Sequence, residues 1–240
     1  MNQTNVTNAP LSWNHPDVHR YEKTISLKIP GYAHLYDISE RLLGAQLQDA
    51  VDAKEILVVG AGGGQELMTL GARHEDWRFT GVDPSTQMLE NARRRLATAQ
   101  LHAKVALIEG TVDALPKQPV YDAATCLLVL HFVKGLAEKG ELLQNIAARL
   151  KPGAPFCLAA ITGNPQSKEF AVQMQAWKKH MTDNGITLKE WERFAASMGR
   201  ESDPVPSSVV QELMEEAGFE HVSRYFGSYL IEAWFAVKRQ

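Results

Sequence analysis

The spacing of apolar residues predicts alternating strands and helices from residue 55 onward. The run EILVVG is short, continuous and apolar and ends in glycine, which is typical of a strand buried on both faces. Four further runs, RFTGVD, AKVALIEG, YDAATCLLVL and FCLAAI, follow it, and residues at helical spacing lie between them. The pattern predicts an α/β fold with a mostly parallel Rossmann-like sheet and helices on both faces.

Helical patterns precede the predicted sheet and interrupt it near its end. Apolar spacing predicts a helix over 34–50, within an N-terminal helical cap at 1–50. Two polar helical stretches in 162–206 break the sheet pattern, and we interpret this insertion as a lid. A further helix and two strands joined through Gly227-Ser228 predict an antiparallel hairpin at the sheet edge. We therefore predict a single domain, 1–240, with seven strands.

Composition and charge narrow the expected partners. The chain of 240 residues has a formal net charge of -3 and shows no basic face suited to a phosphate backbone. We expect a small-molecule substrate rather than nucleic acid, and the sequence leaves the oligomeric state open, a homodimer included. The basic run Arg93, Arg94, Arg95 falls on a predicted amphipathic helix, and we interpret it as a solvated helix face.

Several absences point to a cytoplasmic protein. The N-terminal residues are polar and lack the charged leader and apolar core of a secretory signal, and no apolar run approaches membrane-spanning length. Cys126 and Cys157 both lie in apolar runs, so we expect buried thiols in a reducing compartment rather than a disulfide. No bound metal is predicted.

The candidate chemistry begins at the glycine-rich turn 60–64, which follows a buried strand and precedes a helix. Glycine permits a tight turn and lets a ligand approach the backbone, while the helix N-terminus offers free N–H groups. Asp83 ends the next strand, where a carboxylate accepts hydrogen bonds from a ribose. The alternative for Asp83 is a helix cap. A nicotinamide dehydrogenase is an alternative, although the G-x-G-x-x-G pattern of that class has Gln65 here in place of its last glycine.

The successive runs VVGAGGG, GVDPSTQML, EGTVDALP, YDAATCLLVLHFV, RLKPGAPF and EEAGF resemble the motifs of class I S-adenosylmethionine-dependent methyltransferases. The resemblance implies S-adenosylmethionine as cofactor and S-adenosylhomocysteine as product. It also implies a set of cofactor-binding residues. These are Gly60, Ala61, Gly62 and Gly64 at the methionine part, Asp83 at the ribose, Pro84, Ser85 and Met88 beside the adenosine, Gly110, Thr111 and Val112 around the adenine, and Leu127 and Leu128 under the sulfonium.

One position departs from that family pattern. The family commonly has an acidic residue two places before the first glycine, where this chain has Val58. The contact of that residue with the cofactor's amino group is then missing. A different local anchor, a weaker affinity or a modified cofactor would each account for the change, and a catalytically silent cofactor-binding protein is a further alternative.

A narrower resemblance links LKIPGYAHLYDISERLL, and AGFEH followed by FGS, to the synthases of carboxy-S-adenosylmethionine, which serve tRNA wobble-uridine modification. It implies that Tyr32 closes over the cofactor and that Arg193 falls near the family's carboxylate-binding arginine. Against it, Leu27 stands where that family has another arginine. Synthase activity therefore remains an alternative to methyl transfer.

Methyl transfer to an oxygen or nitrogen is a direct displacement, which requires alignment more than catalytic groups. His131, just past the fourth strand, is the candidate general base, with simple packing as the equal alternative. Aromatic residues are candidates for the walls of the acceptor pocket, although helical spacing also fits a core role. They are Trp13, Tyr32, Tyr36, Trp177 and Trp191.

Overall fold

The computed structural model describes residues 24–48 and 52–240, which are organised around a seven-stranded sheet. Across the sheet the strand order is β3-β2-β1-β4-β5-β7-β6. β1 to β5 run parallel, and β7 is antiparallel to β5 and β6, so the predicted fold class is confirmed. In chain order the strands are β1 (Lys54–Val59), β2 (Trp77–Asp83), β3 (Val105–Glu109), β4 (Ala123–Leu127), β5 (Pro155–Ile161), β6 (Phe219–Ser228) and β7 (Ile231–Lys238).

Helices cover both faces of this sheet because neighbouring strand residues point to opposite sides and both sides are apolar. Leu57 and Val59 face one apolar cluster, and Ile56 and Val58 face the other. The α-helices are α1 (Tyr32–Leu47), α2 (Gln65–Gly71), α3 (Thr86–Thr98), α4 (Leu136–Ala147), α5 (Lys168–Asp183), α6 (Leu188–Ser197) and α7 (Ser207–Glu216), and residues 24–28 are also helical. α1, α2 and α3 pack on the Val58 side, and α4 and α7 on the Leu57 side.

The C-terminal hairpin is where the predicted boundary was wrong. β6 continues through the expected turn, because Gly227 pairs with Glu232 and Ser228 pairs with Ile231. Residues 229 and 230 therefore form the turn, and Tyr229 adopts a positive φ of 51° there. A positive φ at the first turn position matches the twist of a two-residue hairpin, even though glycine is the usual choice.

The insertion between β5 and α7 contains the two predicted helices, α5 and α6. Their aromatic residues Trp177 and Trp191 are buried in a third apolar cluster together with Ile25 and Ile29. Trp177 Nε1 also donates to the carbonyl oxygen of Lys28 at 2.6 Å, so the insertion holds the segment before α1. Its role as a lid stays a prediction. Residues 1–23 of the predicted cap, Trp13 among them, lie outside the described residues.

The cysteines occupy the predicted interior positions. Cys126 and Cys157 are both buried and have free thiols. Each lies on a central strand, and their side chains pack in different apolar clusters. Over the described ranges, none of the helices combines the length and the apolar character needed to cross a bilayer.

Candidate functional site

A cavity of about 490 Å³ opens at the carboxyl ends of β1 to β4. β1 lies between β2 and β4, so the chain connections leave it in opposite directions and create the crevice where open α/β sheets bind ligands. Most of the predicted cofactor residues meet in this cavity. Those that line it are Tyr32, Gly60, Ala61, Gly62, Asp83, Pro84, Met88, Gly110, Thr111, Val112, Leu127 and Leu128.

Two other predicted cofactor residues lie just behind the wall. Gly64 adopts a φ of 81°, and a Cβ there would lie 3.1 Å from Ala92 Cβ, so this glycine allows close packing against α3. Ser85 is buried and caps α3, accepting a hydrogen bond from Met88 N at 3.2 Å. Both residues shape the backbone around the cavity without lining it, and direct cofactor contact by either one stays a prediction.

The glycine loop after β1 is held in a fixed position by the neighbouring strand. The backbone N–H groups of Gly60 and Ala61 both donate to Val82 O, at 2.8 and 2.9 Å. Gly60 has a φ of 73°, and a Cβ at this position would collide with the side chain of Val129. Glycine is therefore required at position 60 for two reasons. It permits the positive φ of the turn, and it leaves room for the close approach of the loop after β4.

Asp83 connects that loop to the end of β2. Its Oδ2 accepts a hydrogen bond from Gly62 N at 2.9 Å, and its Oδ1 accepts one from Ser85 N at 2.8 Å. Burial raises the pKa of Asp83, and these two backbone N–H donors act to lower it. Each carboxylate oxygen can accept a further hydrogen bond. Asp83 therefore organises the loop and still offers acceptors to the cavity.

The end of β4 carries a strained residue at the cavity wall. Leu128 has a positive φ of 64°, which is uncommon for a residue with a branched side chain. Its backbone N–H donates to Ala159 O at 2.7 Å, which holds the chain in this conformation. Such strain is often found at functional positions, and here it turns Leu127 and Leu128 toward the cavity.

Two tyrosines from α1 form an aromatic wall. The rings of Tyr32 and Tyr36 pack edge to face with centroids 4.9 Å apart, and the Tyr36 hydroxyl donates to the Tyr32 hydroxyl at 3.2 Å. Both residues line the cavity together with Phe132. Trp177 and Trp191 do not line it, because they fill the apolar cluster of the insertion.

His131 lies outside the cavity lining. The side chain is buried, and its Nδ1 accepts a hydrogen bond from Ile161 N at 3.2 Å. Its carbonyl oxygen accepts a hydrogen bond from Asp203 N at 2.6 Å. Burial, with a smaller effect from Lys139, lowers the pKa of His131 to about 3. These contacts favour the packing alternative, and the general-base role stays a prediction without support from the geometry.

The basic run on α3 contains a cavity residue that the sequence analysis missed. Arg93 and Arg94 are exposed as predicted, but Arg95 lines the cavity. The Arg95 guanidinium donates to Gly63 O at 2.7 Å and to Gln65 Oε1 at 2.8 Å. The interpretation of all three arginines as a solvated face was therefore wrong for Arg95, which packs back against the glycine loop.

Glu66 is the second residue that the sequence analysis missed. It lies in the first turn of α2, lines the cavity and is only 4% exposed. Among the described residues, its Oε1 has no hydrogen-bond partner. Burial raises the pKa of Glu66 to about 8, against the effect of the neighbouring Thr125, and the charge of Asp83 adds to the rise. The sequence gives little signal for this role, because an acidic residue in the first turn of a helix is common.

The insertion reaches the cavity at one point of its described structure. Glu201, between α6 and α7, lines the cavity, and its Oε1 forms an ion pair with Arg200 at 3.1 Å. The exposed Arg193 on α6 is not among the lining residues. The structure therefore does not bring Arg193 together with the predicted cofactor residues.

Taken together, these features fit an adenosyl cofactor with a charged methionine portion. The glycine loop leaves room for the backbone to approach a ligand, Asp83 supplies acceptors, and Glu66 carries a buried carboxyl oxygen that lacks a donor. Sheet order, glycine loop and acidic strand end together are typical of Rossmann-like cofactor-binding folds, and the C-terminal antiparallel hairpin distinguishes this fold from that of the dehydrogenases.

Comparison with known proteins specifies the class further. Residues 57–156 match the family described as methyltransferase domain. The chain is 25% identical over 217 residues to carboxy-S-adenosyl-L-methionine synthase of Colwellia psychrerythraea, covering 89% of this chain and 86% of that protein. It is 29% identical over 164 residues to ubiquinone biosynthesis O-methyltransferase of Alkalilimnicola ehrlichii, covering 67% and 63%.

A solved structure shows the same fold. The S-adenosylmethionine-dependent methyltransferase of Methanosarcina mazei superposes with a TM-score of 0.58 at 17% identity, covering 80% of this chain and 96% of that one. The chain thus contains a segment similar to a methyltransferase domain and has the fold of that solved structure.

Proposed function

We propose that the chain is a methyltransferase that uses S-adenosylmethionine, releases S-adenosylhomocysteine and transfers the methyl group to an oxygen or nitrogen atom of a small-molecule acceptor. The observation that carries the proposal is that the glycine loop, Asp83 and the tyrosines of α1 line the same cavity. Its volume of about 490 Å³ lies within the range of small-ligand pockets. When bound, the cofactor supplies an electrophilic methyl group on a sulfonium.

The residues that line the cavity bind the cofactor and exclude water from the reacting atoms. Asp83 holds the ribose hydroxyls, and the backbone of the glycine loop holds the methionine portion. Arg95, already bonded to Gly63 O, adds positive charge beside that loop and suits a carboxylate. Leu128 and the aromatic rings keep water away from the reacting atoms, and Tyr32 and Tyr36 offer π faces to a sulfonium.

The acceptor is expected on the side of the cavity lined by α1 and the residues after β4. Tyr32, Phe132 and Val133 give this wall an apolar and aromatic character, and Glu201 adds one carboxylate. Arg95 is the basic residue of the wall, so the described lining lacks the row of cations that a phosphate backbone needs. This composition supports a compact and largely apolar acceptor.

A carboxy-S-adenosylmethionine synthase-like activity is the second candidate. It is supported by the Colwellia relative and by a further synthase relative from Desulfotalea psychrophila, 23% identical and covering 96% of this chain. Tyr32 lines the cavity, and the resemblance to that family implies that it closes over the cofactor. The exposed position of Arg193 argues against it, because a carboxylated cofactor needs a cation near the sulfonium.

Mass spectrometry of the small molecule released from the purified protein tests both candidates. We expect S-adenosylmethionine or S-adenosylhomocysteine, and incubation with methyl-deuterated cofactor and a metabolite extract should yield a labelled product. Release of carboxy-S-adenosylmethionine would replace the methyl-transfer proposal with the synthase. Failure to bind any adenosyl cofactor would overturn both.

A further inference from the structure

Glu66 presents an unusual carboxyl group to the cavity. The side chain is 4% exposed, lines the cavity, and has an Oε1 without a hydrogen-bond partner among the described residues. The nearby Thr125 Oγ1 is also buried and, over the same residues, unpartnered. Buried polar groups normally have hydrogen-bond partners, because burying a polar group without a hydrogen bond costs free energy. The Thr125 hydroxyl can donate as well as accept, so even when it donates to Glu66 the two side chains keep lone pairs that can accept from a further donor.

The position of Glu66 relates directly to the missing acidic residue at Val58. Val58 on β1 pairs in register with Thr125 on β4, so the two side chains are neighbours on the same face of the sheet. Glu66 approaches this face from the first turn of α2 and interacts with Thr125. Its carboxyl group therefore lies next to the space that an aspartate at position 58 would enter.

The surroundings favour a cationic donor over a neutral one. Asp83 contributes negative charge near Glu66, and Tyr225, Cys126 and Cys157 are the other titratable groups that interact with it. None of these neighbours is a base that carries positive charge. An ammonium group would supply up to three N–H donors and offset the charges of Glu66 and Asp83 together.

We propose that the Glu66 carboxylate binds the α-amino group of the cofactor's methionine portion, replacing the acidic side chain absent at Val58. This inference rests on the proposed function. The ammonium donates to Glu66 Oε1, and Thr125 Oγ1 serves as a second acceptor. Because burial raises the pKa of Glu66, binding of the ammonium favours the ionised carboxylate and is coupled to loss of the proton from any protonated Glu66.

Calorimetric binding of two ligands to Glu66→Gln tests the assignment without measuring activity. The ligands are S-adenosylhomocysteine and its analogue that lacks the amino group. The native protein should prefer the amino-bearing ligand, and Glu66→Gln should lose about 10- to 100-fold of that preference, because a charge-assisted hydrogen bond is removed. Affinity for the desamino analogue should stay within about twofold, which also shows that the variant folds. Glu90→Gln, on the exposed side of α3, is the matched control and should keep the preference.

A second variant tests whether positions 58 and 66 serve one subsite. Adding Val58→Asp to Glu66→Gln should restore at least part of the lost preference, because a carboxylate then enters the same space from β1. Retention of the full preference in Glu66→Gln would overturn the assignment, and so would an equal loss of affinity for both ligands. If the native protein bound neither ligand, the proposed function itself would fail, which is a distinguishable result.

Discussion

Gly62 donates its backbone N–H to Asp83 Oδ2 at 2.9 Å, so the loop after β1 and the end of β2 form one hydrogen-bonded unit. The other carboxylate oxygen of Asp83 accepts from Ser85 N at the start of α3. A single carboxylate thus fixes the backbone on both sides of the cavity. The loop position and the proposed ribose contact involve the same side chain, so changes at Asp83 should affect both.

Replacing Asp83 with asparagine should weaken cofactor binding by about 10- to 100-fold, because charge-assisted hydrogen bonds become neutral and one amide N–H₂ faces a backbone donor. Isothermal titration with S-adenosylhomocysteine measures the effect. Glu109→Gln is the control, since Glu109 pairs with Asp83 in register but is exposed and does not line the cavity. Unchanged affinity in Asp83→Asn would contradict the role given to this carboxylate.

Gly60 should tolerate no side chain. Gly60→Ala is expected to abolish detectable cofactor binding, because the φ of 73° is strained for alanine and the new Cβ meets Val129. Gly62→Ala is the matched comparison, since its φ is 49° but the nearest atom to a Cβ, Gly60 O, is 3.8 Å away. Titration should therefore show a smaller loss for Gly62→Ala, and equal losses would mean that backbone strain alone decides.

Local pattern sufficed to predict the sheet and most of the cavity wall. Buried parallel strands are continuous apolar runs, so β1 to β5 and the glycine loop were visible in the sequence. Asp83 was predictable for the same reason, because a strand end has a defined place in this fold. The hairpin turn was shifted by two residues, since β-pairing carried β6 past the glycine that usually ends a strand.

Glu66 and Arg95 were beyond reach because their roles depend on tertiary packing. The periodicity of α3 assigns Arg95 to a polar face, and only the close approach of the glycine loop turns it toward Gly63. Glu66 looks like an ordinary acidic residue of a first helical turn. Its burial results from the packing of α1 and the sheet around it, which the spacing of residues in the sequence does not predict.

His131 should affect the pH dependence of folding stability rather than the rate of methyl transfer. Its folded pKa of about 3 is below the ordinary value of 6.5, so the unfolded chain binds more protons between these values. Stability should therefore fall as pH drops from about 6.5 toward 3, and His131→Gln should fall less steeply. Urea unfolding at pH 5 and 7.5 measures this, with the exposed His102→Gln as control. A loss of methyl transfer at pH 7.5 in a fully folded His131→Gln would instead support the general base.

Trp177 should influence the cavity through the segment before α1. Trp177→Phe keeps most of the packing but removes the hydrogen bond from Nε1 to Lys28 O. Ile25, in the same segment, lines the cavity, so we expect faster amide exchange over 24–31 and a several-fold weaker affinity for S-adenosylhomocysteine. Hydrogen exchange with mass spectrometry checks the first effect. Trp191→Phe, in the same apolar cluster, should leave exchange in that segment near the native rate.

Glu66→Gln should make the ligand-free protein more stable at high pH. The folded pKa of about 8 exceeds the ordinary value of 4.5, so the native state holds a proton that the unfolded state loses in this range. Stability then falls as pH rises from 4.5 to 8, by up to about 1.4 kcal/mol per pH unit, and glutamine removes that loss. Thermal unfolding at pH 5, 7 and 8.5 should show a growing advantage of Glu66→Gln over the native chain. Saturating S-adenosylhomocysteine should shrink or reverse it, because only the carboxylate gains an ammonium partner, and an advantage independent of pH would contradict the buried charge.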